Sequence, residues 1–411
     1  MATTTIHSHA AGAIPARTYS YYRDALAGQS LPCAFVDLEL LDENIRAIAA
    51  RVSHGKTLRV ASKSVRSVWV LRRVFEASPV YRGIMAFHPR EAAFLAAEGF
   101  DDILLGYPCW RAGDIEAVCA WIKKRKTIIF MIDSPEHVKH LGGIAASQGV
   151  RAPLCIDIDM SSSFPGMYFG VRRSPVHDET QLGPILDAAA ATPSVDLRGL
   201  MGYEAQVAGL GDRNPARGLT NKLIPTLKRR SMAEYRARRK AAVEYIRSRG
   251  FDLPLVNGGG TGSIETTSEE EVCTEVTTGS GFYTPTLFDY YDGFKHHPAA
   301  GYAIEIVRRP MPGMVTCDGG GYVASGGLGP DKLPKVFLPE GAALLDQEGA
   351  GEVQTPVTYN GPEALDFGDP ILMRHAKAGE LCERFTSLLL LSKGKVTGEV
   401  PTYRGQGQCF M

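Results

Sequence analysis

The sequence predicts an α/β protein, built as a closed (β/α)8 barrel with a second, β-rich domain towards the C-terminus. Between about residues 30 and 290, short β-branched runs alternate with longer helical stretches. This alternation implies a parallel sheet, and roughly eight repeats suit a closed TIM-type barrel better than an open sheet. After Thr277 the helical periodicity fades, and short runs such as "YAIEIVRRP" and "KVFLP" dominate. We therefore expect a tail joining the β domain at 1–29, a barrel at 30–290, and at 291–411 a β-rich domain that covers the active site.

The predicted repeats follow one another in chain order. The first three pair "CAFVDL" with "LLDENIRAIAARV", "TLRVAS" with "SVWVLRRVFEA", and "GIMAF" with "PREAAFLAAEG". Next come "DILLGYP" with "AGDIEAVCAWIKK" and "TIIFMI" with "SPEHVKHLGGIAASQG", and the strands "APLCIDIDM", "DLRGLMGYEA" and "LPLVNGGG" complete the set. The basic run at 227–250 lies between the last two strands. Its helix formers and the spacing of its apolar residues predict a helix with a solvated face rather than a nucleic-acid site.

Composition excludes several classes of function. Lys+Arg and Asp+Glu number 45 each, so no global field draws the chain to nucleic acid or to an anionic membrane. No apolar run approaches the roughly 18–20 residues of a membrane span. The 8 cysteines include no C-x-x-C pair, which favours reduced thiols, and the first residues lack the layout of a secretory signal. These features predict a cytoplasmic protein with a loose N-terminal tail.

Functional groups are expected at the carboxyl ends of the barrel strands, where barrel enzymes have their active sites. Lys63 follows "TLRVAS", and Tyr203 and Glu204 end a later strand. Lys63 is either a solvated strand end or an amine held in a pocket for chemistry. In "CIDIDM" the period of two puts Asp157 and Asp159 on one face, opposite the isoleucines. An active-site role and a structural role both remain open for these two acids.

Two glycine loops follow late strands. "LVNGGGTGS" is neither a Walker loop, since it lacks G-K-[ST], nor a dinucleotide fingerprint, since Ser263 replaces the final glycine. It and the second loop, "TTGSGFY", are either simple turns or a cradle that brings backbone N–H groups against a phosphate. Barrel enzymes often bind phosphate at late strands. A phosphate held opposite a lysine is what pyridoxal 5'-phosphate requires, because the lysine amine bonds to the cofactor's aldehyde carbon.

These stretches together resemble the fold-type III, alanine-racemase-like pyridoxal-phosphate enzymes, in particular the D-threonine aldolase/D-serine dehydratase (amino acid deaminase/aldolase) branch. "LPCAFVDLELLDENI" is similar to the opening strand and helix of that branch, and "LRVASKSVRS" to its lysine segment. "EAAFLAAEGFDDILLGYP", "LRGLMGYEAQ" and "NGGGTGS" are similar to later landmarks in the same order, so the resemblance spans about residues 30 to 290. It implies that Lys63 is the cofactor lysine and that Tyr203 lies beside the cofactor. The residues expected around the phosphate are Gly260, Thr261, Gly262, Gly281, Phe282 and Tyr283.

The chain departs from this branch at several positions. The arginine that usually follows the "D-x-D" strand is replaced by a longer insertion, which leaves Arg172 as the candidate for cofactor binding. Gln206 stands where a histidine is common. Relatives commonly hold a divalent ion near the C-terminus with a histidine followed two residues later by cysteine or aspartate, and here His375 is followed by Lys377. Three interpretations of this segment are open: His375 holds the ion together with Cys382 or Glu380, the Lys377 ammonium replaces the ion, or the segment is a surface turn.

The resemblance implies a pyridoxal-phosphate-dependent lyase that acts on a small-molecule substrate, a β-hydroxy amino acid of D configuration. Lys63, Tyr203 and Lys377 are its expected catalytic residues. Retro-aldol cleavage of Cα–Cβ and dehydration with release of ammonia are both open. One alternative is an amino-acid racemase that uses Tyr302 or Tyr322 as its second acid/base, and another is a non-catalytic pyridoxal-phosphate-binding protein. The resemblance also implies a homodimer. Neither nucleic acid nor a membrane is an expected partner.

Overall fold

The computed structural model of the protein describes residues 17–214, 218, 221–327 and 329–410. Most of the tail expected at 1–29 lies outside these ranges. In the described part of the chain, no helix combines the length and the apolar character that crossing a membrane requires.

The first described segment belongs to the second domain and not to the barrel. Helix α1 (Tyr19–Ala25) precedes strand β1 (Cys33–Asp37), which pairs with chain near Ala300 on one side and near Leu390 on the other. Tyr22 and Phe35 are buried in a cluster of that domain. The sequence predicts "CAFVDL" as the first barrel strand, and the structure differs. The strand-then-helix pattern is correct, since helix α2 (Leu38–Ala50) follows at once, but such a pattern does not specify which sheet the strand joins.

The barrel has the eight parallel strands that the sequence predicts in number, but Glu275–Thr278 takes the place predicted for "CAFVDL". Its strands and an excursion hairpin are β2 (Thr57–Ala61), β3 (Tyr81–Ala86), β4 (Ile103–Pro108), β5 (Ile128–Ile132), β6 (Ala152–Asp157), β7 (Ser162–Phe164), β8 (Met167–Phe169), β9 (Val195–Gly202), β10 (Leu255–Gly258) and β11 (Glu275–Thr278). Strands β7 and β8 form the hairpin, and the others close in the order β10-β11-β2-β3-β4-β5-β6-β9. The fold class expected from the sequence is thereby confirmed.

Helices follow the barrel strands. They are α3 (Val68–Ala77), α4 (Pro89–Ala97), α5 (Ala112–Lys123), α6 (Pro135–Ser147), α7 (Glu179–Ala190), α8 (Ala205–Ala208), α9 (Ile224–Ser248) and α10 (Ile264–Ser268). The longer ones cover the outside of the barrel, whereas Ala208 of α8 lies at a cavity. Several begin at polar caps: Ser134 Oγ accepts a hydrogen bond from a backbone N–H of α6, and Asp178 forms a capping box at α7. The basic run forms α9, which confirms the predicted helix.

The side chains of strand β2 point alternately to the outside and to the inside of the barrel. Leu58 and Val60 are fully buried in the apolar layer between the strands and the helices. Arg59 points to the other side, where its guanidinium pairs with Glu275 at 2.5 Å and with Asp102 at 2.9 Å. Because Asp102 precedes β4 and Glu275 begins β11, this cluster closes the amino-terminal end of the barrel. The opposite, carboxyl end is left for a cavity.

The second domain is a nine-stranded sheet. Its strands after β1 are β12 (Ala300–Met311), β13 (Met314–Asp318), β14 (Lys335–Leu338), β15 (Ala342–Leu344), β16 (Gln354–Tyr359), β17 (Pro370–Arg374), β18 (Ser387–Ser392) and β19 (Lys395–Pro401), and α11 (Leu381–Arg384) lies between β17 and β18. The order is β15-β16-β13-β12-β1-β18-β19, with β17 also paired to β12 and β14 to β17. The turn Ala378–Glu380 of this domain packs against the turn Ser62–Ser64 that follows β2. The second domain thus reaches the carboxyl end of the barrel.

Candidate active site

A cavity of about 240 Å³, partly open to solvent, lies at the carboxyl ends of the barrel strands. Barrel residues at its wall include Ala61 at the end of β2, Met201 near the end of β9 and Thr278 at the end of β11. The second domain contributes Lys332 and Lys377 to the same wall. The cavity therefore has the position that barrel enzymes use for catalysis.

Lys63 lies in the wall of this cavity. Its place in the turn Ser62–Ser64, directly after β2, aims the side chain across the barrel mouth. There Lys63 Nζ donates a hydrogen bond of 2.8 Å to Oη of Tyr107, at the end of β4. Of the two readings of Lys63, the geometry corresponds to an amine held in a pocket and not to a solvated strand end.

Arg173 extends this group of polar side chains. Its guanidinium carbon lies 5.5 Å from the ring centre of Tyr107 and 5.7 Å from that of Tyr203, so it sits between two phenols. Both Arg173 and Arg172, the candidate from the sequence, are exposed, but Arg172 stacks at 4.1 Å on Tyr168, outside the cavity. The insertion is irregular here, and its successive side chains point in different directions. The structure therefore brings Arg173, and not Arg172, to the site.

The two phenols of the cavity have different acidities. Burial raises the pKa of Tyr203 to about 12, although Arg173 opposes the shift. Burial also acts on Tyr107, but there the ammonium of Lys63 and the guanidinium of Arg173 outweigh it and hold the pKa of the phenol below its ordinary value. The hydrogen bond to Lys63 thus gives Tyr107 a lower pKa than Tyr203, although both phenols are buried.

The two acids of "CIDIDM" have separate environments. Asp159 accepts a hydrogen bond of 3.1 Å from the backbone N–H of Ser161 and pairs with His177 at 3.3 Å, which are contacts that shape the loop. Asp157 lies beside the cavity, in a small recess that it shares with Arg173. Burial, reinforced by Asp133, raises the pKa of Asp157 to about 7. Asp157 is therefore the acid that can exchange a proton near neutral pH.

A buried ion cluster holds the first glycine loop. Glu204 accepts hydrogen bonds from the backbone N–H of Gly259 at 3.2 Å and from Oγ of Ser263 at 3.0 Å. Its carboxylate pairs at 2.8 Å with Arg239 of α9, which is fully buried and also pairs with Glu270. Arg239 of α9 thus supports the first glycine loop through Glu204.

The two glycine loops are joined through Thr261. Its Oγ1 accepts hydrogen bonds from the backbone N–H of Gly281 at 3.2 Å and of Gly279 at 3.5 Å. Gly260, Thr261 and Gly279 line the cavity. A Cβ on Gly260 would lie 2.9 Å from Cβ of Ala208, and one on Gly279 would lie 2.9 Å from the carbonyl oxygen of Ala61. The absence of side chains at these glycines leaves room for an anion against the backbone.

Other residues expected around the phosphate lie behind the cavity wall. Gly262, Gly281, Phe282 and Tyr283 are not among the residues that line it. Phe282 and Tyr283 are fully buried, and Oη of Tyr283 donates to the carbonyl oxygen of Val65 at 3.0 Å. The chain turns into the protein interior after the second loop, so these aromatic residues support the loop from within. Gln206 is buried as well and bonds to Ser231 of α9 at 2.8 Å.

The residues considered for a metal do not form a ligand set. Within the described ranges, no three histidine, cysteine, aspartate or glutamate side chains are grouped as metal ligands. His375 is fully buried outside the cavity wall, and burial lowers its pKa to about 3. Burial likewise raises the pKa of the Cys382 thiol to about 12, and Glu380 instead faces the backbone N–H of Ser325 at 3.2 Å. No ligand set for a divalent cation is thus found among the described residues.

Lys377 takes a place in the cavity wall. Its Nζ donates to the carbonyl oxygen of Ser325 at 2.9 Å and to Oγ of that residue at 3.0 Å. Burial lowers its pKa, and Lys63 and Lys332 act in the same direction. Neither Tyr302 nor Tyr322, the phenols considered for a racemase, lines the cavity of this chain.

Sequence reasoning missed two residues that the structure brings together with Lys63. Tyr107 ends the predicted strand "DILLGYP", so the rule that selected Lys63 could have found it. Arg173 carries no comparable signal, because it lies in an irregular segment. The sequence indicates Glu204 as an acid at a strand end, but its partner Arg239 is one of many cations in α9.

A closed barrel with a strand-end lysine, two glycine loops and an appended β domain defines the alanine-racemase-like class. The chain matches the family model described as "Alanine racemase, N-terminal domain" over residues 36–286 and belongs to that family. The family expected from the sequence is thus confirmed.

The chain is also similar to individual proteins. It is 26% identical over 250 residues to a 3-hydroxy-D-aspartate aldolase of Paracoccus denitrificans, which covers 61% of this chain and 59% of the relative. Among solved structures, a D-threonine aldolase from Filomicrobium marinum has a TM-score of 0.76 at 17% identity and covers 92% of this chain and 95% of its own. A D-threo-3-hydroxyaspartate dehydratase from Delftia sp. HT23 has a TM-score of 0.72 at 19% identity, with coverage of 92% and 99%. These structural likenesses show the fold.

Proposed function

We propose that this protein is a pyridoxal-phosphate-dependent lyase that acts on β-hydroxy amino acids of D configuration. The observation that carries the proposal is Lys63, whose amine lies in the barrel cavity with glycine-lined backbone in the same wall. The family supports it, and so do the names of the relatives, which act on 3-hydroxy-D-aspartate or D-threonine. The relatives include both aldolases and a dehydratase, so a product assay is needed to distinguish cleavage from dehydration.

The described residues fit pyridoxal phosphate. Gly260 and Gly279 leave backbone exposed where a Cβ would be too close to its neighbours, and the Thr261 side chain holds the two loops together. We assign the cofactor's phosphate to this cradle and its aldehyde to Lys63. When bound, the cofactor supplies an electron sink for negative charge that develops at Cα of the amino acid.

The polar side chains of the cavity have distinct roles in this proposal. Tyr203, with a pKa of about 12, stays protonated at neutral pH and can donate a hydrogen bond to the cofactor beside it. Arg173 has no hydrogen bond or ion pair within the described ranges, so its guanidinium is available for the substrate carboxylate. Lys63 holds or releases the proton at the reacting end of the substrate.

Lys377 is assigned to the β-hydroxyl of the substrate. Its ammonium reaches the cavity from the second domain and keeps one of its three donors beyond the two used on Ser325. A positive hydrogen-bond donor at the hydroxyl stabilises the negative charge that develops on oxygen in either reaction. Since the donor set does not fit a divalent ion, no step of the proposal uses one. A non-catalytic cofactor carrier has no need of such a residue over its cofactor.

Two further expectations belong to this proposal. A homodimer is inferred from the family alone, and sedimentation of the purified protein measures it. A cytoplasmic location is consistent with the free thiols from Cys33 to Cys382.

The test is a product assay on purified, cofactor-loaded protein with D- and L-3-hydroxy amino acids. Aldehyde with glycine identifies an aldolase, and a keto acid with ammonia identifies a dehydratase. Borohydride reduction followed by peptide mapping should fix the cofactor on Lys63, and Lys63→Ala should fold but lose turnover. Lys395→Ala, on an exposed strand position, is the matched control. Reduction at another lysine, or racemisation without either product, overturns the proposal.

A further inference from the structure

The hydrogen bond between Lys63 and Tyr107 raises the question of how the lysine is deprotonated. A lysine amine is ordinarily protonated at neutral pH, and an ammonium has no lone pair with which to attack a carbon. The nearest partner in the cavity is a phenol, 2.8 Å from Nζ. We infer that Tyr107 is the acceptor of the Lys63 proton, so that the two side chains act as one proton-sharing pair. This rests on the proposed function only in taking Lys63 as the reacting amine.

The surroundings of Tyr107 favour its ionised form. Five charged or titratable groups from other elements act on it. They are Lys63 after β2, Arg173 in the insertion after β8, Asp157 at the end of β6, Tyr203 after β9 and Lys377 from the second domain. Burial and Asp157 oppose ionisation, whereas Lys63 and Arg173 favour it and prevail. Tyr203, in the same cavity, is close to Arg173 but makes no such bond to a lysine, and its pKa is raised. Two phenols whose environments push their pKa values apart are typical of an acid and base pair.

The proton transfer balances without any additional group. The phenolate of Tyr107 accepts a proton from the Lys63 ammonium, so that an O–H bond forms as an N–H bond breaks. The electron pair of the broken bond stays on Nζ, and a neutral amine faces a neutral phenol. The net charge of the pair is zero before and after the step. A proton that Lys63 later takes from a substrate can pass along the same hydrogen bond and return.

Tyr107 therefore removes the need for a solvent base in a cavity that the second domain covers in part. Removing the phenol oxygen should leave the fold and the ring packing in place. Because proton transfer by a positioned side chain contributes on the order of 10²- to 10⁴-fold to a rate, Tyr107→Phe should slow turnover by a factor in that range. Its residual activity should rise with pH, since deprotonation of Lys63 then depends on hydroxide or water.

The decisive measurement uses cofactor-free protein and does not depend on activity. Tyrosine labelled with ¹³C at Cζ reports ionisation of each phenol during a pH titration. The expected result is one resonance that titrates below the ordinary value of 10.0, that is lost in Tyr107→Phe, and that titrates at higher pH in Lys63→Met. Tyr245→Phe, on the outer helix α9, is the matched control and should leave that resonance unchanged.

The outcomes separate this inference from the proposed function. A Tyr107 resonance that titrates at or above 10.0, or one that Lys63→Met does not move, overturns the inference even if the enzyme is an active lyase. Failure to take up pyridoxal phosphate, measured by absorbance, overturns the proposed function while leaving the titration intact. Should Tyr107→Phe fold poorly, the shift produced by Lys63→Met alone assigns the resonance and decides the matter.

Discussion

The buried guanidinium of Arg239 supports the first glycine loop through Glu204, and removing it tests that support. Arg239 is fully buried and pairs with both Glu204 and Glu270. Arg239→Met keeps the length and apolar part of the side chain but leaves two buried carboxylates without their cation. Breaking a buried pair from one side costs about 3–5 kcal/mol, because the remaining charge stays desolvated. For a barrel of this size each kcal/mol lowers the melting temperature by about 2–4 °C, so a fall of roughly 6–20 °C is expected.

Thermal and urea unfolding of the variant measure this cost, and fluorescence titration with pyridoxal phosphate measures the effect on the loop. The control is Arg236→Met on the same helix. Arg236 pairs with Glu269 at 3.0 Å in an exposed setting, so its loss should cost at most about 1 kcal/mol. Combining Arg239→Met with Glu270→Gln should recover part of the stability. If both single variants unfold alike, the loop is not held by the buried cluster and the reasoning is refuted.

Three further variants test other parts of the site. Gly260→Val should weaken pyridoxal-phosphate binding, measured by fluorescence, because its side chain would enter space next to Ala208, 2.9 Å from a Cβ at that glycine. Lys377→Met should abolish turnover, and dialysis of the wild-type enzyme against a chelator should not. Asp157→Asn should raise the melting temperature more at pH 8 than at pH 5. Burial, with Asp133, raises the pKa of Asp157 from its ordinary value of 3.8 to about 7. Between these two pH values the folded wild type binds more protons than the unfolded chain. Its stability therefore falls, by on the order of a few kcal/mol in all, as the pH rises to about 7.

Each of these variants has a control and a contrary result. Gly143→Val adds the same side chain on α6, where nothing lies within 4 Å, and equal binding by both glycine variants would show that the loop is only a turn. Lys395→Met removes an exposed lysine; activity that vanishes on chelation and returns with Zn²⁺ or Mn²⁺ would refute the role of Lys377. Asp252→Asn changes an exposed acid, and the Asp157 argument fails if the two aspartate variants show the same pH dependence of melting.

The sequence could predict the barrel and Lys63 because both depend on local patterns. Strand and helix alternate regularly, and parallel strands bring their carboxyl ends to one edge, so the place of Lys63 follows from its place after β2. The sheet that β1 joins could not be predicted, because it depends on pairing with Ala300–Met311 and Ser387–Ser392 far along the chain. The choice between Arg172 and Arg173 depends on the path of an irregular segment, for which no periodicity exists.

The burial of Arg239, in contrast, can be predicted from the sequence. It lies four residues after Tyr235 and three before Ala242, both buried, so the period of the helix places it on the apolar face of α9. The count of cations in the run hides this, because it treats every arginine of the helix alike. A buried arginine on an apolar face requires an acid nearby, and Glu204 lies two residues after barrel strand β9.

Strand β1 has a consequence for how the chain folds during synthesis. It lies between β12 and β18, so a strand made near the beginning waits for a partner made near the end. At a translation rate of about 5–20 residues per second, the partner around Leu390 emerges roughly 20–70 s after Phe35. Until then the edge of β1 that pairs with β18 is left without its partner, and in the last part of the interval the barrel is already complete, because β11 has been made. Shielding of this edge until the ribosome has delivered β18 would prevent β1 from pairing with another chain.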